Sequence, residues 1–187
     1  MENFIFKNPT EILFGRGMIS EITGRVPASA PMLLLYGGGS IKRNGVYGQV
    51  LAALASHNVI EFPGIEPNPA YETCLKAVEV IKANGIGFIL AVGGGSVLDA
   101  AKFIAAATLF DGPDPWEILR QGGDNIQAAL PLGSVLTLPA TGSESNGSAV
   151  ISRAATREKL AMSSSLVFPV FSVLDPETTF SLAPKQI

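Results

Sequence analysis

Two glycine clusters and one run of hydroxyl side chains hold the chemistry of this sequence. Gly93-Gly94-Gly95 follows the apolar run Phe88–Val92 and opens at Ser96 onto a second apolar stretch, the whole reading FILAVGGGSVLDAAKFIAAATL over residues 88–109. Five apolar residues in succession fit a strand buried on both faces. A strand, a tight glycine turn and a helix start together make an anion site. Glycine lacks the Cβ that would hold a phosphate off the backbone. The first helical N–H groups have no intrahelical partner, and the helix dipole adds partial positive charge there. The plainer reading is a Ser96-x-x-Asp99 capping box on an ordinary crossover helix, but three consecutive glycines exceed what a cap needs. Gly37-Gly38-Gly39-Ser40 repeats the arrangement behind the apolar run Met32–Tyr36, where a simple turn is the competing reading. Thr141, Ser143, Ser145 and Asn146 follow a third run, Ser134–Leu138. Their hydroxyl and amide groups suit phosphate, ribose or carboxamide contacts.

The tighter motifs fail. A Walker A loop ends in Gly-Lys-Ser/Thr, which neither cluster supplies. A G-x-G-x-x-G fingerprint would run Gly93, Gly95 and then Leu98, so its last position is lost. A variant dinucleotide site survives these tests. In such a site an acidic residue after the second strand binds the ribose 2′-OH of NAD, whereas the 2′-phosphate of NADP needs an anion-tolerant environment. The region after Tyr36 has no carboxylate and carries Ser40, Lys42 and Arg43. Gly142-Ser143-Glu144-Ser145-Asn146-Gly147 does not spell the G-x-S-x-G of a serine hydrolase. One histidine, His57, and one cysteine, Cys74, leave no zinc-type cluster to assemble. Cys74 falls on an expected helix as a small core residue of a cytoplasmic protein.

The elements that must position these groups are legible in order. Residues 4–14 predict two short strands around Asn8-Pro9, able to cap a sheet or to exchange with a second subunit. Ile19–Val26 predicts a short helix, Gly45–Ser56 a second, and Ile60–Phe62 a strand. Asn68 as N-cap, Pro69 at the first helical position and Gly85 as C-cap frame a third helix. Asp111–Asn125, with the only tryptophan, Trp116, reads as a polar surface excursion. Ala149–Ser152 and Lys159–Ser163 pair as a hairpin, and Val170–Leu174 is the last strand. Strand–helix alternation up to residue 110 predicts an α/β fold with a mostly parallel sheet flanked by helices.

At 187 residues and 19.5 kDa the chain holds one domain, residues 1–187, with a sizeable core. A net charge of −3 and no basic cluster argue against a nucleic-acid partner. The mean hydropathy is +0.35, yet no run approaches the ~20 apolar residues of a membrane span. The N-terminus lacks the basic and apolar regions of a signal peptide. Charged residues make up 16%, against roughly 25% in an average domain, which predicts a surface covered by another domain or subunit.

With these residues in view, the chain resembles the iron-containing (group III) alcohol dehydrogenases, and within them the NADPH-dependent butanol dehydrogenase and aldehyde reductase type. ILFGRG at 12–17, YGGGSIKRNGVY at 36–47, GIEPNPAYET at 64–73, AVGGGSVLDAAKFIA at 91–105, DPWEIL at 114–119, LTLPATGSESNGSAVIS at 136–152 and LDPETT at 174–179 carry the resemblance. It implies a Rossmann-like domain with a short N-terminal β extension, and reversible hydride transfer between NADPH and an aldehyde, giving a primary alcohol. It implies Gly94, Gly95 and Ser96 as pyrophosphate contacts and Asp99 as an acid near the nicotinamide. Thr137, Thr141 and Ser143 fall where the family binds adenine, phosphate and nicotinamide, and Lys159 matches a lysine at the nicotinamide ribose. Gly38, Gly39 and Ser40 replace the aspartate of NAD-preferring relatives, and Thr178 and Thr179 fall near the adenosine pocket. It also implies a homodimer and, in the full-length enzyme, Fe²⁺ or Zn²⁺ on an all-α domain that follows. This chain stops at LAPKQI, where that domain's first helix is expected, so it is expected to be inactive alone. A stand-alone, non-catalytic nucleotide-binding module is the competing reading. A relative using the same fold for non-redox chemistry, as dehydroquinate synthase does, is a third reading, and the 37–40 cluster and LPATGSES loop resemble the alcohol dehydrogenases more than that enzyme.

Overall fold

A computed structural model of the chain describes residues 3, 5 and 7–182. In chain order the strands are β1 (Glu11–Phe14), β2 (Met32–Tyr36), β3 (Val59–Phe62), β4 (Phe88–Gly94), β5 (Leu132–Leu138), β6 (Ser148–Arg153), β7 (Glu158–Ser163) and β8 (Phe171–Leu174). The α-helices are α1 (Ser40–Arg43), α2 (Val46–Ala53), α3 (Tyr71–Asn84), α4 (Gly95–Leu109) and α5 (Trp116–Arg120). Six strands make one all-parallel sheet in the order β1-β8-β5-β4-β2-β3, and β6 and β7 form a separate antiparallel hairpin.

The central strands are apolar at every position because both faces of the sheet are covered. Leu33, Leu35, Ile89 and Ala91 pack with residues of α3, α4 and the hairpin. Met32, Leu34, Tyr36, Leu90 and Val92 point the other way, onto Ile19 and Ile22 of a 3-10 helix (Met18–Gly24) and Val46 and Val50 of α2. Gly85 caps α3 in the left-handed conformation (φ 61°), its N–H bonding the Ile81 carbonyl, as its position predicts.

Four expectations need correction. Asn68 is not the N-cap of α3: its own backbone is left-handed (φ 58°), and Ala70 precedes the first turn with no side-chain cap. Its side chain instead accepts a hydrogen bond from Lys159 Nζ at 2.7 Å. The segment around Trp116 is not a surface excursion. Trp116 is fully buried in α5, because the Tyr71 hydroxyl and Arg153 (3.0 Å) both bond Asp114 and draw the segment inward. The Arg153 guanidinium then lies 4.8 Å from the Tyr71 ring centre and 5.4 Å from that of Trp116. The helix expected over Ile19–Val26 is a 3-10 helix. At the N-terminus one strand, β1, runs parallel to β8 from Glu11↔Phe171 to Phe14↔Leu174 and caps the sheet edge. Of the other expected strand, Phe4 and Phe6 lie outside the described residues, and Ile5 and Lys7 are not in a strand.

Candidate functional site

From β2 the chain passes outward to β3, and from β4 it passes to β5 on the opposite side. The adjacent carboxyl ends of β2 and β4 are therefore the topological switch point, where open α/β sheets bind ligands. Both glycine clusters sit there. After β2, Gly39 turns the chain with φ 91°, a left-handed conformation that favours glycine, and Ser40 follows at the start of α1. After β4, Gly94 is extended and α4 starts at Gly95 with no side chain capping it. The N–H groups of its first turn are thus left to a ligand or to water. The β4–β5 register also slips, with Gly93 opposite Leu136 and Gly94 opposite Leu138. Thr137 is the extra residue, and it lines the cavity beside the glycines.

That cavity, of about 290 Å³, is walled by Ser40, Asn44, Gly94, Thr137 and Ser181. An Asn44–Ser181 hydrogen bond of 3.2 Å links two of its walls. A second cavity of about 320 Å³ lies over Gly37, Gly38 and Gly39 and includes Lys42. Lys42 Nζ sits 5.3 Å from the Tyr36 ring centre, 4.5 Å from that of Tyr47 and 3.9 Å from Glu61. Both tyrosine hydroxyls donate to Glu61, at 2.6 and 2.7 Å. These two bonds hold the Glu61 carboxyl below its ordinary range, and contact with Tyr36 holds the Lys42 ammonium above its own. An ammonium paired with the Glu61 carboxylate therefore stands beside the Gly37–Gly39 turn.

The remaining expected residues sort by what their side chains meet. Lys159, on β7, reaches Asn68 Oδ1, and the Asn68 N–H donates to Ser96 Oγ at 3.3 Å. Lys159 and Ser96 are thereby joined through a residue that sequence reading assigned to a helix cap. Asp99 and Ser143 are bonded to each other at 2.6 Å, and Asp99 also accepts the Val150 N–H at 3.1 Å. The capping box is thus absent: Ser96 and Asp99 both spend their side chains on distant backbone or loop groups. Thr141 lies against Gly95, where an added Cβ would come within 2.7 Å of its Oγ1. Gly95 is therefore required by this loop as well as by any anion. Thr179 stands apart, on a mainly apolar cavity of about 220 Å³ with Leu136, Pro139 and Leu174. Thr178 is buried and bonds the Leu136 and Asp175 carbonyls, which gives it a structural role.

Sequence reading missed Lys102. It is fully buried on α4 and donates to Asn146 Oδ1 at 2.8 Å and to the Ser148 carbonyl at 2.9 Å. A lone charge within Ala100-Ala101-Lys102-Phe103, three residues after Asp99, is the signal that marks it. Cys74 is buried, and burial pushes its thiol well up, away from nucleophilic chemistry. His57 bonds the Val26 carbonyl at 3.0 Å, far in the fold from the switch point. Among the described residues no group of three or more His, Cys, Asp or Glu side chains is placed to hold a metal ion. No helix among the described residues is long and apolar enough to cross a membrane.

The profile of the family described as iron-containing alcohol dehydrogenase matches residues 9–176. The chain is 55% identical over 188 residues to the NADPH-dependent aldehyde reductase YqhD of Escherichia coli (strain K12), covering 100% of this chain and 49% of that protein. It is 48% identical over 189 residues to the probable NADH-dependent butanol dehydrogenase 1 of Bacillus subtilis (strain 168), covering 100% of this chain and 48% of that one. The crystal structure of E. coli K-12 YqhD superposes with a TM-score of 0.95 at 55% identity, over 98% of this chain and 47% of that chain. The chain spans about half the length of the curated relatives it matches. Switch-point geometry, sequence and superposed fold agree: the chain belongs to the iron-containing alcohol dehydrogenase family.

Proposed function

We propose that residues 1–187 are the NADPH-binding domain of an alcohol dehydrogenase that reversibly reduces an aldehyde to a primary alcohol, and that the chain alone is inactive. The observation that carries this is the convergence of two glycine turns, the uncapped start of α4 and the Lys42 ammonium on one switch point. The residues present fit a dinucleotide phosphate. The first-turn N–H groups from Gly95 and Ser96 bind pyrophosphate. Gly38, Gly39 and Ser40 leave room for the 2′-phosphate, with Lys42 as its counter-charge. Thr137 and Thr141 flank the phosphates, the apolar cavity at Thr179 takes the adenine, and Lys159 with Asn68 holds the nicotinamide ribose. Asp99 and Ser143 act together from the loop beside it. When bound, the cofactor supplies hydride to the carbonyl carbon. The relatives include NADH-dependent proteins, so the choice of NADPH rests on Ser40 and Lys42 rather than on likeness.

We further assign the Fe²⁺ or Zn²⁺ of the reaction to residues outside those described, and the protein to the cytoplasm, consistent with its single buried cysteine. A homodimer forms through the β1 edge, where Phe14 is 70% exposed. The test is turnover with NADPH and butanal by a full-length protein that carries this domain, beside residues 1–187 alone, which are expected to consume none. Aldehyde-dependent loss of NADPH absorbance with the full-length protein is the expected result, and no consumption by it with any short-chain aldehyde contradicts the proposal.

A further inference from the structure

The loop between β5 and β6 is laid along one face of α4. Gly95, Asp99 and Lys102 stand at helical positions i, i+4 and i+7, which share a face. They meet the loop in order. A Cβ on Gly95 would touch Thr141 Oγ1, Asp99 accepts from Ser143 Oγ, and Lys102 donates to Asn146 Oδ1. The loop's own bonds are long by comparison, with Ser143 N to Thr141 Oγ1 at 3.4 Å and Asn146 Nδ2 to the Thr141 carbonyl at 3.5 Å. Lys102 also fixes the far end of the loop through the Ser148 carbonyl at 2.9 Å. Burying an ammonium is costly even when it is paired. An apolar side chain would complete this helix face at less cost, so the contribution of the lysine lies in what it holds.

We propose that Lys102 is a positioning residue for the dinucleotide: by gripping Asn146 and the Ser148 carbonyl it sets the Thr141–Asn146 loop against the glycine turn where the phosphates bind. This rests on the reading of the switch point as an NADPH site. Lys102 itself sits about seven residues into α4, on the order of 10 Å along the helix from its start, and acts through the loop rather than on the cofactor.

The grip depends on pH. Burial pushes the Lys102 ammonium down to about 8, opposed by Asp99 on its own helix and Glu144 in the loop, while β6 faces it with the Ser148 carbonyl. Above that pH the neutral amine keeps its place but loses the charge assistance that roughly doubles each bond. The loop then loosens and cofactor affinity falls.

The experiment is NADPH titration of the intact protein across about pH 6.5 to 9.5, with Lys102→Met and Asn146→Asp beside the wild type. The wild-type Kd is expected to rise about tenfold across that range with a midpoint near 8. Lys102→Met binds weakly throughout, without that midpoint, and its hydrogen exchange quickens at the amides of 141–150. Asn146→Asp keeps the acceptor, adds a charge that favours the ammonium, and moves the midpoint up by about one unit. A purely structural lysine would leave the wild-type Kd without a midpoint near 8. A Lys102→Met profile that parallels the wild type, or an unmoved midpoint in Asn146→Asp, overturns the inference while leaving the NADPH site standing. A wild type that binds no NADPH at any pH overturns the site and this inference together.

Discussion

Ser143 donates its hydroxyl hydrogen to Asp99 at 2.6 Å, so two residues that resemblance assigns separately to the cofactor form one joint between α4 and the loop after β5. The second Asp99 oxygen accepts the Val150 N–H at 3.1 Å and ties the hairpin to the same point. Asp99→Ala leaves the buried Ser143 hydroxyl and the Val150 amide without their partner. It is expected to cost about 2–3 kcal/mol in denaturant unfolding. A loss below about 0.5 kcal/mol would deny the joint its structural role.

The two glycine turns should separate binding from folding. A Cβ on Gly38 meets nothing within 4 Å, whereas one on Gly95 comes within 2.7 Å of Thr141 Oγ1. Gly38→Ala therefore keeps the wild-type unfolding midpoint while weakening NADPH. Gly95→Ala lowers both stability and affinity, stability by about 1–3 kcal/mol. Paired measurement of melting temperature and NADPH affinity checks this. Equal melting losses in both variants would contradict it.

Cofactor choice should turn at Ser40. It follows the Gly37–Gly39 turn and walls the cavity that holds Gly94 and Thr137, whereas Lys42 lines the neighbouring one. Ser40→Asp places a carboxylate where the 2′-phosphate is proposed to lie and offers an acceptor to the 2′-OH of NADH. NADPH affinity is expected to drop at least about tenfold, with NADH unchanged or improved. Parallel losses for both cofactors would place the 2′ position elsewhere.

The buried lysine gives stability a pH dependence of definite sign. Lys102 falls from an ordinary 10.5 to about 8 in the folded chain. Between those values the unfolded chain holds a proton that the folded chain lacks, so this group makes stability rise with pH. The full swing is about 3 kcal/mol. Unfolding of the wild type and Lys102→Met, compared from about pH 7.5 to 10, should shift in favour of the wild type. Cofactor affinity moves in the opposite direction over the same range, and a flat stability difference would contradict the assignment.

Much of the fold was legible because its signals are local. Met32–Tyr36 and Phe88–Val92 read as strands since both faces of the sheet are covered, and Gly85 caps α3 for a reason internal to its own turn. The two glycine clusters read as turns after buried strands for the same reason, but the strand order that makes their meeting place a switch point depends on distant pairings and was not legible. Errors arose where a distant residue outcompeted a local pattern. Asn68 looks like a helix cap, yet Lys159, 91 residues away, takes its side chain. Trp116 sits in a polar segment, yet Tyr71 and Arg153 reach Asp114 and bury it. Asp99 completes a capping-box pattern, but Ser143 and Val150 claim both of its oxygens. Lys102 lies in the 91–105 stretch with no role assigned from the sequence, and only the returning loop gives it a partner.

The central claim, a dinucleotide site selective for NADPH at the β2–β4 switch point, is tested most directly by titrating the protein with NADPH and NADH. Energy transfer from Trp116, the only tryptophan, to the reduced nicotinamide supplies the signal. Saturable binding of NADPH, at least about tenfold tighter than NADH, is the predicted result. Saturation by neither cofactor would contradict the site, and equal affinity for both would contradict the selectivity assigned to Ser40 and Lys42.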